Sequence, residues 1–226
     1  HKRGPRPEAG YIDYIYKNPK ARRIAFWIVC LVWVTQSIYI LLFMLEMQRF
    51  PILSLFEGIY FYAWLLVTMS IGLHCIARVD MPVFFVNVLA FVFMTIHLFA
   101  PNEKNANPMV DSQVSELLFI HIGISIASYG AFTIAFVFSV LYLILYNILK
   151  KKKPSTLWSR LPSLKQTTNY MNNSTMVGVP LLLVALVLGL EWALLTLEGL
   201  RVFDIKIIGS FVIFGVYISL LLLNRS

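Results

Sequence analysis

The chain has 226 residues, of which 59% are hydrophobic and 13% are charged. Soluble domains carry ~25% charged residues, so this composition excludes an ordinary soluble protein. Several apolar runs approach the ~20 residues that a helix needs to cross a bilayer. They are continuously apolar rather than alternating, which argues against a membrane β-barrel. The composition therefore predicts an all-α, polytopic membrane helix bundle.

The net charge of +8 would suggest a nucleic-acid partner in a soluble protein. In a membrane protein, basic residues collect in cytoplasmic segments, so we expect a lipid bilayer and no nucleic acid as partner. The two cysteines, Cys30 and Cys75, stand apart inside apolar runs with no CxxC or CxxCH motif. This excludes covalent attachment of a c-type haem.

Residues 1–23 are basic and predict a cytoplasmic N-terminal segment, whose first ten residues read like cloning-derived sequence or an altered start. A single transmembrane domain, 24–223, follows. Its basic stretch 150–175, with four lysines at Lys150–Lys153, is predicted to be a cytoplasmic loop or a surface-lying helix. The six predicted transmembrane helices are Ile24–Leu45, Gly58–Ala77, Met81–Ala100, Leu117–Leu149, Met176–Thr196 and Ile207–Leu223.

The distribution of charge predicts the orientation. When the six spans alternate in direction, every basic segment falls on one side, which we assign to the cytoplasm. The sequence thus predicts a multi-pass protein of the cell membrane with both ends of this chain cytoplasmic. The loops 46–57, 101–116 and 197–206 are then expected outside.

Two histidines flank the acidic loop 101–116, His97 before it and His121 after it. Ionisable groups inside a membrane are rare and often functional. Neutral imidazole is a good iron ligand, so both are candidate metal ligands for a haem. The alternative is that each histidine only forms a hydrogen bond between helices or to interfacial water.

The link 197–206 is a candidate lid over a flat ligand. We expect Trp192 and Phe203 to stack on it, and Arg201 or Lys206 to bind its carboxylates. Alternatively, Arg201, Lys206, Asp204 and Glu198 pair with one another as a solvated cap. Asp204 and Glu57, which starts an aromatic run containing Trp64, complete the candidate cofactor-binding set. That run equally suits an interfacial aromatic belt.

Motifs of known catalytic sites are absent. The chain has no G-x-S-x-G, no H-E-x-x-H and no P-loop. We therefore expect a protein that is not an enzyme.

Three segments resemble the CcsA/HemX-type cytochrome c assembly family: FEGIYFYAW (56–64), HIGISIASYGAFTIAFVFSVLYL (121–143) and the link from Gly199 to Phe203-Asp204-Ile205-Lys206. The resemblance implies an integral membrane protein that handles haem, bound non-covalently as b-type haem. His121 matches the family's outer haem-ligand histidine by position. The Trp-Asp-x-Lys end of the family's outer loop is replaced here by Phe203-Asp204-Ile205-Lys206.

The signature tryptophans are missing and the sixth span has no histidine, so the pattern is closer to the HemX branch. That branch is linked to haem biosynthesis, and the resemblance implies a role in limiting the level of glutamyl-tRNA reductase, a possible cytoplasmic partner. It also implies further membrane helices at the ends. The alternatives are a haem-delivery or export component of cytochrome c maturation, and a membrane scaffold without a cofactor.

Overall fold

The computed structural model describes residues 19–77, 80–99, 112–150, 162–196 and 205–223. Within these ranges the chain is helical and has no strand, which confirms the predicted all-α class. Five helices are long and apolar enough to cross a membrane, and the last is shorter, with an apolar part at Ile207–Leu223. The helices are α1 (Pro19–Met47), α2 (Leu55–Ala77), α3 (Asp80–Phe99), α4 (Ser112–Lys150), α5 (Leu164–Thr196) and α6 (Ile205–Leu223).

Capping boxes fix the starts of α2 and α5. The Ser54 N–H donates to Glu57 Oε2 (3.2 Å) and the Glu57 N–H donates to Ser54 Oγ (3.2 Å). At α5, the Ser163 N–H donates to Gln166 Oε1 (3.1 Å) and the Gln166 N–H donates to Ser163 Oγ (3.2 Å). Each box satisfies two backbone N–H groups that a helix end would otherwise leave unpaired.

Helix α5 begins at Leu164, well before the predicted start at Met176, so residues 164–175 are continuous with the membrane-spanning helix. Pro180 lies inside the helix. The early start has a packing cause. Tyr170 stacks on Phe138 of α4 with ring centroids 5.1 Å apart, and this contact holds polar sequence in helical form.

The antiparallel pair of α4 and α5 is the most extensive helix contact of the described residues. Ser128 Oγ donates to the Gly178 carbonyl at 2.9 Å. A Cβ at Gly178 would lie 2.7 Å from Phe132 Cε1, so the missing side chain makes room for the ring. Tyr217 of α6 stacks on the same ring at 3.9 Å and attaches α6 to the pair.

The helices α2, α3 and α4 share a core of Leu66, Val67, Val86, Ala90 and Val137. Helix α1 joins this core through tryptophans. Trp33 Nε1 donates to Thr68 Oγ1 and Trp64 Nε1 donates to Ser37 Oγ, each at 2.8 Å. These hydrogen bonds cross from α1 to α2 in both directions, and such links contribute modestly to helix association in membranes.

Candidate haem site at His121

The candidate site forms where α4 meets α5. His121 is half-buried on α4, and its Nδ1 lies 2.7 Å from the Ala185 carbonyl oxygen of α5. A carbonyl oxygen can only accept a hydrogen bond, so Nδ1 must carry the proton. Nε2 of the neutral ring therefore keeps its lone pair. This is the arrangement in which a histidine serves as a metal ligand, with the other ring nitrogen donating to a carbonyl.

The imidazole ring of His121 packs directly against the backbone of Gly189. A Cβ at position 189 would lie 2.5 Å from His121 Cε1 and 2.8 Å from Nδ1. No side chain could occupy that space without moving the imidazole. Because Gly189 follows Ala185 by one helical turn, the hydrogen-bond acceptor and the gap lie on the same face of α5.

His121 lines a cavity of about 770 Å³. This volume lies within the ~300–1,000 Å³ typical of small-molecule and cofactor sites. The walls are mainly apolar and aromatic, with hydroxyl groups on α2, α4 and α6. The lining includes Ser54, Gly58, Ile59, Tyr62, Leu89, Phe93, His121, Ser125, Tyr129, Phe132, Thr133 and Tyr217.

His97 lies elsewhere. Its Nδ1 is 3.0 Å from the Phe56 carbonyl oxygen, and its ring meets Tyr60 edge-on at 5.1 Å. His97 is absent from the cavity lining. Phe56 and Tyr60 occupy a different face of α2 from Gly58 and Tyr62, which border the cavity. The structure therefore does not bring His97 and His121 to one ligand position.

Glu57 has a structural role in the fold. Its carboxylate accepts two hydrogen bonds from the Arg49 guanidinium, at 2.7 and 2.8 Å, besides capping α2. The hydrogen bond with Glu57 raises the pKa of Arg49 above its ordinary value. Arg49 also lies over the Phe43 ring, 5.3 Å from its centroid. These contacts tie the end of α1 to the start of α2, and Glu57 is absent from the cavity lining.

Trp192 lies on α5 one turn beyond Gly189. Its Nε1–H is buried and has no acceptor within the described part of the chain. A buried donor without an acceptor is costly. Trp192 is nevertheless absent from the cavity lining, as are His97 and Glu57. Arg201, Phe203 and Asp204 lie outside the described residues, and Lys206 lies in α6 with its side chain outside the description.

Within the ranges that the structure describes, acidic and sulfur ligands do not gather around either histidine. Among the described residues, no group of three or more His, Cys, Asp or Glu side chains is placed to hold a metal ion. A single imidazole beside a mainly apolar cavity suits a metal already held by a macrocycle better than a bare ion. The donor set at His121 therefore fits a haem.

A family model described as "Cytochrome C assembly protein" matches residues 52–225 of the chain. The chain belongs to this family. The chain is 45% identical over 207 residues to "Protein HemX" of Bacillus subtilis (strain 168), covering 92% of this chain and 75% of that protein. It is 35% identical to "Protein HemX" of Brevibacillus brevis, covering 94% and 78%.

Similarity also extends to the CcsA side of the family. "Cytochrome c biogenesis protein CcsA" of Gloeobacter violaceus is 28% identical over 105 residues, covering 44% of this chain and 30% of that protein. No solved structure matches. The resemblance inferred from the motifs, with placement in the HemX branch, is confirmed, and the chain is a multi-pass membrane protein of the HemX type.

Of the residues that form the ring's surroundings at this site, the sequence patterns had singled out His121 itself. They missed Ala185 and Gly189, although both lie inside the region that matches the family. Ala185 contributes only its backbone carbonyl, which has no sequence signal. Gly189 had a weak signal, since glycine in a membrane helix marks a close approach of another group.

Proposed function

We propose that this HemX-type membrane protein binds one class of cofactor, b-type haem, with His121 as an iron ligand, and senses haem without catalysing a reaction. The observation that carries the proposal is the hydrogen bond from His121 Nδ1 to the Ala185 carbonyl, at 2.7 Å. It leaves Nε2 with the lone pair that iron requires. When bound, haem supplies an iron centre for His121 to ligate. The fraction of protein molecules that hold haem then rises and falls with the amount of haem in the cell.

The other candidate residues are proposed to contact the macrocycle or its carboxylates, or to support the helices around the site. The aromatic and aliphatic cavity walls suit the macrocycle, because burial of apolar surface drives such binding. Trp192, whose N–H has no acceptor among the described residues, is proposed to donate to a haem carboxylate. Arg201 and Lys206 are proposed to bind the propionates, with Phe203 stacking and Asp204 orienting the cations. Glu57 and His97 are proposed to support the surrounding helices.

We further propose that haem occupancy limits the level of glutamyl-tRNA reductase, a soluble partner on the cytoplasmic side. Two relatives that match over nine-tenths of the chain carry the name HemX, which supports placing the protein in haem biosynthesis control. The charge distribution supports an orientation with both ends of this chain and Lys150–Lys153 in the cytoplasm of a cell-membrane protein.

Haem binding is tested by absorption spectroscopy of protein purified from haem-replete membranes. We expect a Soret band in the wild type, its loss in His121→Ala, and its retention in His97→Ala. The His97 variant is the matched control, because it also loses an imidazole bonded to a carbonyl. Absence of a band, before and after addition of haem, would overturn the haem proposal and favour a scaffold without cofactor.

The regulatory proposal is tested by measuring the glutamyl-tRNA reductase level in cells. We expect a rise when the protein is deleted, a similar rise with His121→Ala, and no rise with His97→Ala. Neutralising Lys150–Lys153 tests the cytoplasmic contact in the same assay. A reductase level that responds to none of these changes contradicts the regulatory role.

A second function, delivery of haem in cytochrome c maturation, is supported by the family description and by similarity to CcsA proteins. It makes a different prediction. Loss of the protein would reduce covalent haem in c-type cytochromes at an unchanged reductase level. Haem staining of those cytochromes in the deletion strain separates the two functions.

A further inference from the structure

We propose that a second copy of this chain packs against an exposed polar face of α5, so that the protein forms a homodimer held by amide–amide hydrogen bonds within the membrane. The face is formed by Gln166, Asn169 and Asn173, which we name the amide stripe. All three side chains are exposed. Their spacing of three and four residues places them on one side of the helix.

The contacts of the first turns of α5 show how deep in the membrane the inner end of the amide stripe lies. Leu164 and Tyr170 pack on a core cluster around Phe138 that also receives Leu73 of α2 and Met81 of α3. Leu73 lies in the last turns of α2, and Met81 is the second residue of α3. The first turns of α5 therefore lie level with the inner ends of two membrane-spanning helices.

The outer limit follows from Gly178, which contacts Ser128 and Phe132 of α4. Tyr129 lies beside Ser128 on α4, and its carbonyl accepts a hydrogen bond from the Tyr62 hydroxyl of α2 at 3.3 Å. Tyr62 lies seven positions inside the outer start of α2. Gly178 is thus level with the outer half of α2.

The amide stripe lies between these two levels. At 1.5 Å per residue, Asn173 is about 14 Å from Leu164 along the helix axis and about 8 Å from Gly178. The stripe therefore lies within the layer that α2 and α3 span, and not in the cytoplasm. Within the described part of the chain, Asn169 and Asn173 have no hydrogen-bond partner. Unpaired amides facing hydrocarbon are costly, so this face requires a polar partner.

A second copy meets this requirement by symmetry. A side-chain amide is both donor and acceptor, so the same amide on another copy is its complement. Two copies with the same membrane orientation, related by a two-fold axis along the membrane normal, bring each amide to the depth of its equivalent. Exposed Val177, Val184 and Val187 extend the face toward the outer side and supply apolar contact along the helix.

Lys165 is compatible with this pairing. It lies at the inner end of the face and is exposed. Its long side chain can extend to the headgroup region, which keeps the two ammonium groups of a dimer apart. The proposal does not depend on haem, because it concerns the inner half of α5 and uses none of the cavity residues.

Cysteine crosslinking in native membranes tests the proposal. Cys30 and Cys75 are first replaced by serine, and single cysteines are placed as Asn169→Cys and Asn173→Cys. Under mild oxidation we expect a disulfide-linked dimer at one or both positions, since a symmetric contact brings equal residues together. Leu31→Cys is the matched control, because Leu31 is 66% exposed on α1 and is expected to remain monomeric.

A second measurement removes the amides. Asn169→Leu together with Asn173→Leu is expected to reduce the dimer fraction in mild detergent at least tenfold, with helix content unchanged. The proposal is overturned when neither cysteine crosslinks above the control, or when the wild type is monomeric at every concentration. It is also overturned when the cysteines form adducts only with another protein, or when a membrane-impermeant thiol reagent labels Asn173→Cys, which would indicate a water-lined surface.

Discussion

The imidazole of His121 occupies the space that a side chain at Gly189 would fill, with Cε1 2.5 Å from the position of the missing Cβ. The ring is held from one side by this gap and from the other by its hydrogen bond to the Ala185 carbonyl. Helix α5 therefore orients the proposed iron ligand, although it carries no ligand of its own.

Gly189→Ala should displace the ring and disturb the haem. Overpacking of this kind costs roughly 1–3 kcal/mol in a close-packed interface. We expect a shifted or weakened Soret band together with lower thermal stability. Gly178→Ala is the control, because its Cβ would meet the Phe132 ring at 2.7 Å. It should destabilise the bundle comparably and leave the spectrum of bound haem unchanged. Identical spectra for the two variants would contradict the orienting role of α5.

Gly58→Phe should block the cavity while the bundle stays folded. Gly58 lines the cavity, and a Cβ there meets nothing within 4 Å. The phenyl ring would occupy volume that haem needs, so we expect a loss of most haem on purification. Gly72→Phe on the same helix also has open space and does not border the cavity. Equal haem content in both variants would place the binding site elsewhere.

His97→Ala should cost stability and spare haem. The change removes the hydrogen bond to the Phe56 carbonyl and the edge-on contact with Tyr60. Hydrogen bonds between membrane helices are worth ~0.6 kcal/mol on average, up to ~1.7. Thermal unfolding should show a small decrease in melting temperature. A lost Soret band would instead restore His97 as a second axial ligand.

Glu57→Ala should weaken the junction between α1 and α2. The variant loses the hydrogen bonds that the Glu57 carboxylate accepts from the Leu53 and Ser54 N–H groups, and it leaves the Arg49 guanidinium without its carboxylate. Loss of a helix cap costs about 0.5–2 kcal/mol. We expect reduced thermal stability with normal haem content. Ser54→Ala removes only the hydrogen bond from the Glu57 N–H to Ser54 Oγ and keeps the carboxylate with its ion pair, so it should cost less. Equal costs for the two variants would contradict a stabilising role of the Glu57 carboxylate.

The number of helices could be predicted because each span is a long apolar run, as in Ile24–Leu45 and Met81–Ala100. The start of α5 could not, because residues 164–175 are polar and lack the apolar run that marks a membrane span. The packing of Tyr170 on Phe138 overrides that local pattern. Tertiary contacts of this kind have no signature in a single sequence.

For the candidate site, the sequence could predict which side chain is able to bind a metal, but not how that side chain is positioned. A histidine near a membrane boundary is visible in the sequence, and His121 was named on that basis. His97 and His121 are separate because the His97 ring contacts Phe56 on one face of α2, whereas the cavity that His121 lines is bordered by Gly58 and Tyr62 on another face. Spacing along the chain does not determine this arrangement.

The acceptor of the His121 hydrogen bond is the main-chain oxygen of Ala185, and the imidazole ring occupies the space left by the missing side chain of Gly189. No substitution at position 185 can delete a carbonyl, whereas every substitution at position 189 adds atoms where the ring lies. In a saturation-mutagenesis screen for haem retention, residue 189 should therefore accept glycine alone. Position 185 should tolerate glycine, which is smaller than the buried alanine and keeps the carbonyl.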